Sequence, residues 1–359
     1  FIIGLLERMS PGAVMVYTSK QAESENFDQR WREEYGVRVI RDRSSILLPT
    51  PRVTYSIKKL ISHEGIESVW FGAAAPLALM ASSLRRAGVQ KIIALTHGHE
   101  VWWAKIPPFS FAMRFIGKHV NYLGYLGEFT RNAIAPTLNK LDRDKLIKIA
   151  PGIDTEHFSV IPRDSHLVAE LDIKDSPIII SVGRLVHRKG QDQLVKALPR
   201  IIEKFPTVKL IFVGTGPHRK KIEKLIKQYG VEKSVRFIGR IPHEQLPRYF
   251  ALGDIFAMPS RSRLFGLEVE GLGIVYLEAS ACGLPVIAGD SGGAPDAVLP
   301  GKTGVVVDGT SESAIADAAI SLLSDLSKSR EMGSVGRDWV VSNWRWEIWS
   351  KTFNNLFHQ

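Results

Sequence analysis

Along almost the whole chain, short continuous apolar runs alternate with stretches whose apolar residues recur at helical spacing. In the first half, residues 14–18, 67–71, 91–96 and 122–125 read as buried strands, with helical patterns over 53–63 and 76–87. The second half repeats this more regularly. Residues 177–182, 209–213, 235–238, 255–258, 285–288 and 304–307 predict strands. Helices are predicted over 191–205, 219–229, 243–252, 275–282 and 311–323. Strands apolar throughout, and separated by helices, belong to parallel sheets covered on both faces. The pattern therefore predicts two doubly wound α/β domains. The first spans 1–150 and the second 151–340, joined near Ala150-Pro151-Gly152, whose proline and glycine punctuate the chain. Residues 335–357 predict a final helix carrying Trp339, Trp344, Trp346 and Trp349. Its last part, 341–359, is expected to pack back on the first domain through those indoles.

The opening is unusual for such a domain. A doubly wound unit normally begins with a strand and a loop. Here a helical pattern starts at once, over Phe1 to Met9, so one strand and one loop are expected to be missing from this sequence.

Length and composition narrow the class. A chain of 359 residues that is 45% hydrophobic can build two full cores and is not disordered. The single cysteine, Cys282, rules out a disulfide framework and a cysteine-rich zinc site. The longest apolar run, 68–81, contains Gly72 and Pro76 and falls short of the roughly 18 residues of a membrane span. Glu7 and Arg8 follow the first residues too closely for a secretory signal, so a cytoplasmic location is expected. The net charge of +10 is uneven: residues 1–150 carry 21 Lys and Arg against 13 Asp and Glu, the rest 26 against 24. A basic first half points to an anionic surface, nucleic acid or lipid.

Candidate chemistry sits where the strands end. Glu270 and Glu278 stand eight apart around Gly271-Leu272-Gly273, with a helix starting near Ile274 and Val275. The glycines let backbone approach a ligand, and a helix start offers free N–H groups to an anion. A diphosphate held there between two carboxylates for sugar hydroxyls would make a sugar-nucleotide site; a purely structural polar loop would look the same. Gly183-Arg184 through Lys189-Gly190 follows a strand and offers two cations to a phosphate, or forms a basic surface turn. His187 and Arg188 within it are expected to be solvated. Thr96-His97-Gly98-His99-Glu100 also follows a strand; without a third ligand nearby it fits a hydrogen-bonded histidine better than a metal site. Residues 289–296 could line the same pocket as the glutamates. Asp142-Arg143-Asp144 reads as solvated. Gly214-Thr215-Gly216 lacks the third glycine of a dinucleotide fingerprint, Arg219 standing in its place, which argues against a dehydrogenase. Two glutamates beside the cations also argue against a nucleic-acid module, since they would repel a polyanion.

Taken together, these segments resemble the retaining glycosyltransferases of the GT-B fold, a family that includes glycogen and sucrose synthases. The carrying motif is Glu270-x7-Glu278, supported by Arg184…Lys189-Gly190, Met258-Pro259-Ser260 and residues 283–288. Residues 70–77, 96–100, 189–192 and 268–278 are similar to the PimB-type mannosyltransferases of actinobacteria. The resemblance implies two Rossmann-like domains facing an interdomain cleft. It also implies transfer of mannose from GDP-mannose to a phosphatidylinositol mannoside, with retention and without a metal or other cofactor. Another nucleotide sugar, or a soluble acceptor, is the alternative.

By the same resemblance, Arg184 and Lys189 hold the donor diphosphate, Glu278 the ribose and Glu270 the transferred sugar. Backbone over 271–274 adds N–H donors, with Gly183 and Val275 beside it. Ile238 and Arg240 are placed near the guanine. His97 matches the family's sugar-contacting histidine, with His99 as second choice. The family's first strand and Gly-Gly loop are the part this sequence does not display. The acceptor side is expected on the basic first domain. Trp102, Trp103, Arg114 and Lys118, among Phe109, Phe111, Phe115 and Lys105, suit an anionic lipid surface, as do residues 41–52 with Leu47 and Leu48. An ordinary amphipathic helix would show the same composition. The expected location is the inner face of the cell membrane, peripherally bound; the oligomeric state is left open.

Overall fold

A computed structural model describes residues 1–358 and divides into two compact units. One comprises Phe1–Gly152 with the residues from Trp346 onward; the other is Ile153–Arg345.

The second unit is built on one six-stranded parallel sheet. Its strands are β7 (Ile178–Val182), β8 (Lys209–Val213), β9 (Val235–Gly239), β10 (Ile255–Met258), β11 (Val286–Gly289) and β12 (Gly304–Val307). Their spatial order is β12-β11-β10-β7-β8-β9, every pair parallel. The order reverses direction beside β7 and β10, the place where open α/β sheets bind ligands at the C-terminal strand ends. All five residues of β7 and all four of β10 are buried, which is why they read as uninterrupted apolar runs. Helices Gln191–Lys204 and Glu312–Ser324 close the core over Leu194, Leu198, Ile315 and Ala319.

The first unit holds β1 (Met15–Ser19) and β2 (Arg38–Asp42) as one parallel pair. A separate parallel sheet has the order β3 (Ser68–Phe71), β4 (Lys91–Leu95), β5 (Tyr122–Tyr125), β6 (Leu146–Lys148). The apolar pattern does not predict β2 or β6. Both lie at a sheet edge, where one side needs no burial, and β2 has only Val39 and Ile40 between Arg38 and the Arg41-Asp42 pair.

The helix expected over 335–357 is two helices, Leu326–Asn343 and Trp346–Asn355. Trp344 breaks them with φ −126° and ψ 9°, and its carbonyl accepts a hydrogen bond from the Ile153 N–H at 2.6 Å. The unit boundary falls at this break, between Arg345 and Trp346, rather than at residue 340. Beyond it, Phe353 and Leu356 are buried with Leu5, Ile93, Leu95 and Ile149. No helix among the described residues is long and apolar enough to cross a membrane.

Candidate active site

In the second unit, the C-terminal ends of β7, β10 and β11 bring the predicted cations and carboxylates together. After β7 the chain turns through Gly183 and Arg184 into a short 3-10 segment, His187–Lys189. Gly190 then takes φ +75° and lies so close to the loop after β10 that a Cβ would meet the Pro259 carbonyl oxygen at 2.0 Å. Only glycine fits there, and its close approach sets Lys189 at the strand end.

Glu270 is the hub of the site. It is 6% exposed, and its Oε2 accepts from Arg188 at 2.7 Å and from Lys189 Nζ at 2.8 Å. Arg188 also approaches Glu268 at 3.9 Å. Burial lowers the Lys189 ammonium below its ordinary value, and Glu270 opposes that shift by favouring the charged form. Two cations on one carboxylate leave a local positive excess. Arg184 adds to it: it is exposed and makes no ion pair among the described residues. This is an anion-attracting corner whose carboxylate is already engaged.

The helix Ile274–Ala281 points its start at the same corner. Gly273 precedes it with φ +78°, where a Cβ would strike the Tyr276 ring at 2.4 Å. No side chain caps this helix, so its first N–H groups are free to meet an anion. Ile274 is exposed and Val275 half-buried, whereas the Leu272 side chain is buried and offers only backbone. The Tyr276 hydroxyl donates to the Met258 carbonyl at 2.7 Å and lies 2.8 Å from Ser260 Oγ, tying the helix to the end of β10. One turn on, Glu278 sits 3.5 Å from His243 Nε2. That contact raises His243 above its ordinary value. Ile238 and Arg240 stand at the end of β9, Arg240 exposed.

The residues expected to be solvated in the cationic loop are not. Arg188 is held by Glu270, which the local sequence could not show because the partner lies 82 positions away. His187 accepts from Arg261 Nε at 3.2 Å through Nδ1, and burial, then Arg261, lowers its pKa. Arg261 is a residue the sequence reading missed. It is 5% exposed and donates to both oxygens of Asp192 at 2.8 and 2.9 Å, while its own N–H donates to the Arg188 carbonyl at 2.8 Å. Burial pushes the Asp192 carboxyl up, but Arg261 outweighs it and holds it below the ordinary value. This buried pair fastens the loop of Arg188 and Lys189 to the loop after β10. A buried pair of this kind is costly to break singly.

In the first unit, the loops after β3 and β4 meet around Glu100, which is fully buried. Its carboxylate accepts from the His97 N–H at 2.9 Å and lies 3.3 Å from His99 Nδ1. The His97 ring hydrogen-bonds the Gly72 carbonyl, and His99 Nε2 lies 3.1 Å from the Ala75 carbonyl. Both histidines are thus oriented by backbone carbonyls and one carboxylate. No cluster able to hold a metal occurs among the described residues. Trp102 and Trp103 pack on Phe109 at 4.8 and 4.9 Å, and Trp103 also reaches the core. Phe111 and Phe115 stay exposed beside exposed Arg114 and Lys118. In the second basic stretch, Arg41 is paired with Asp28 and Arg52 with Asp42, so those cations are already engaged. Asp142 is also not solvated: it is 8% exposed and bound by Lys145 at 2.8 Å.

The family model of glycosyl transferases group 1 matches residues 164–339, which hold this whole cationic and carboxylate corner. A GDP-mannose-dependent alpha-(1-6)-phosphatidylinositol monomannoside mannosyltransferase of Mycolicibacterium smegmatis is 44% identical over 92% of this chain and 86% of its own length. The chain belongs to the group 1 glycosyltransferases. Another member, a GDP-mannose-dependent monoacylated alpha-(1-6)-phosphatidylinositol monomannoside mannosyltransferase of Corynebacterium glutamicum, is 38% identical over 99% of this chain and 92% of its own. Among solved structures, the HepE protein of Anabaena in complex with UDP superposes with a TM-score of 0.79 at 17% identity, covering 98% of this chain and all of that one. A sucrose-phosphate synthase of Thermosynechococcus elongatus gives 0.74 at 24%, covering 90% and 83%. These likenesses show the GT-B fold, seen here as two Rossmann-like domains.

Proposed function

We propose that the protein transfers mannose, with retention, from GDP-mannose to a phosphatidylinositol mannoside. The observation that carries this reading is the buried Glu270 held between Arg188 and Lys189 beside an uncapped helix start. Identity of 38–44% to mannosyltransferases of that donor and acceptor supports it. In the reaction, the bond between mannose C1 and the diphosphate oxygen breaks and GDP leaves with the electron pair. The acceptor hydroxyl bonds C1 on the same face, and its proton passes to the departing phosphate. Arg184 and Lys189 stabilise the charge that develops on the leaving group. The free N–H groups at Ile274 and Val275 add to that. Glu270 orients the sugar and Glu278 the ribose. Ile238 and Arg240 sit by the base. His97 and its carbonyl-fixed ring are assigned to the transferred sugar on the family resemblance.

Fixed cations of this kind do the work a divalent ion would do on a diphosphate, so transfer is proposed to need no metal. The acceptor reading places exposed Phe111 and Phe115, with Arg114 and Lys118, against an anionic lipid surface at the inner membrane face. The test is donor turnover with GDP-mannose, UDP-sugars and ADP-sugars against phosphatidylinositol mannoside in anionic vesicles, with and without EDTA. Transfer from GDP-mannose alone, unaffected by EDTA, is expected. Failure of GDP-mannose to give either transfer or hydrolysis would sink the reading.

A further inference from the structure

The loop after β10 carries an apolar turn that nothing in the second unit covers. Arg263 and Glu268 close it as an antiparallel bridge. The Arg263 N–H donates to the Glu268 carbonyl at 2.9 Å, and the Glu268 N–H donates back to the Arg263 carbonyl at 3.2 Å. Their side chains pair at 3.0 Å across the same step. At the base of the turn, Arg261 is fixed to Asp192, and Ser262 Oγ lies 3.2 Å from Ser291 Oγ. The turn is thus anchored just ahead of Glu270.

Its tip faces outward. Phe265 is fully exposed, more so than any other large apolar side chain among the described residues, and Leu264 and Leu267 are exposed beside it. Leu264 and Phe265 take φ +50° and +54°, followed by Gly266 at +79°. Glycine is at ease in that left-handed region, but bulky side chains avoid it. Backbone strain that exposes two large apolar groups gains nothing from the core, and such strain gathers where a segment meets a ligand.

The surroundings of the tip are basic. Loops leaving β7, β8, β10 and β11 emerge at the same end of the parallel sheet. Residues 184–192, 215–221, 259–270 and 289–296 of these loops carry eight Lys and Arg against five Asp and Glu. Arg184, Lys220, Lys221 and Arg263 are exposed. Apolar side chains amid an excess of exposed cations are what an anionic lipid surface receives.

We propose that this turn is a lipid contact of the second unit, with Leu264 and Phe265 entering the interfacial layer of an anionic bilayer while the cations around them meet its headgroups. This rests on the lipid acceptor proposed above, and it brings the bilayer to the turn that leads into Glu270. The Phe111 and Phe115 patch belongs to the other unit and is a separate contact.

The full chain is tested with Phe265→Cys carrying an environment-sensitive nitrobenzoxadiazole dye. The chain's own Cys282 is buried and leaves the new thiol to react. Lys174→Cys, exposed before β7 at the opposite end of the sheet, carries the dye as control. Vesicles of phosphatidylcholine with phosphatidylinositol, and of phosphatidylcholine alone, are added without donor or acceptor, so the result does not depend on which sugar nucleotide the protein uses. The dye at 265 is expected to shift to the blue and brighten on the anionic vesicles only, and the dye at 174 to stay unchanged. In the unlabelled chain, the double variant Leu264→Asn, Phe265→Asn keeps the turn, because asparagine tolerates the left-handed region. Its partition onto anionic vesicles should fall at least ~10-fold with GDP affinity unchanged. No shift at 265, an equal shift at both positions, or an equal response to neutral vesicles overturns the proposal. A shift on adding GDP-mannose without vesicles, or a loss of GDP affinity in the double variant, overturns it in favour of a flap over the donor. A shift that grows with protein concentration in buffer overturns it in favour of a second copy of the chain.

Discussion

The two sheets differ in closure, and their burial shows what closure does. In the second unit β7 has a partner on each side, and every one of its residues is buried. In the first unit β1 and β3 each have a strand partner on one side only among the described residues, and all but Phe71 of their residues are only half-buried. The site chemistry follows the same division. The second unit's cations and carboxylates are paired and packed, Lys189 and Arg188 on Glu270 and Arg261 on Asp192. The first unit's histidines are held by loop carbonyls at the ends of β3 and β4. One half presents a packed anion corner; the other presents histidines oriented by loop carbonyls.

The largest effect expected from breaking the packed corner comes from Glu270→Gln. If Glu270 orients the sugar as proposed, the neutral amide cannot do so as the carboxylate does, and kcat for mannosyl transfer should fall by about 10³-fold or more. GDP affinity should hold or rise, because Arg188 and Lys189 lose the carboxylate that competes for them. Isothermal titration with GDP beside a transfer assay separates the two; a parallel loss of both would mean that Glu270 serves the structure of the loop.

Arg184→Met comes next. Arg184 makes no ion pair among the described residues, so its removal costs the fold little. GDP binding should nevertheless weaken by about 10- to 100-fold, the range of one lost charge-assisted contact. A binding curve that is unchanged would remove Arg184 from the donor site.

Stability contrasts the sheets directly. Ile180→Ala in fully buried β7 should cost about 3 kcal/mol. Val16→Ala in half-buried β1 should cost about 1 kcal/mol, since much of its apolar area is not removed from water. Urea melts compare the two.

How much of this was legible follows the same physics. Inner strands write continuous apolar runs, so β7, β8, β10 and β11 could be read from their sequence, and the edge strands β9 and β12 were legible because Val235, Phe237, Ile238 and Val305, Val306 and Val307 keep apolar runs of their own. Edge strands need only one apolar side, and β2, with Arg38 and Asp42, and three-residue β6 left no such run. Within the site, Glu270, Glu278 and Lys189 were readable because their spacing around glycine turns is local. Arg188 and Arg261 were not, because their meaning lies in partners 82 and 69 residues away, and a basic residue looks the same whether solvated or paired. The Arg41–Asp28 and Lys145–Asp142 pairs made the opposite point. Charges that looked available to an external surface are engaged at home.

The smallest expected effect tests the far end of the packed corner, where His243 meets Glu278. The Glu278 carboxylate raises the His243 pKa above its unfolded value. A raised folded-state pKa means the protonated form is favoured by folding, so the contribution is complete below the unfolded pKa near 6.5 and is lost as pH rises through the folded one. The His243 side chain is 62% exposed, and solvent screens an exposed pair strongly, so the gain stays small. The melting temperature should therefore drop slightly from pH 6 to pH 8 through this pair, and His243→Asn should remove that part of the slope. The same variant leaves Glu278 without a cationic neighbour there. If Glu278 holds the ribose, GDP binding at pH 6 should then tighten modestly toward its pH 8 value, because protonated His243 no longer occupies the carboxylate. An unaltered pH dependence of both melting and GDP binding in His243→Asn would show that Glu278 is engaged by neither His243 nor nucleotide, and would separate it from the working half of the Glu270–Glu278 pair.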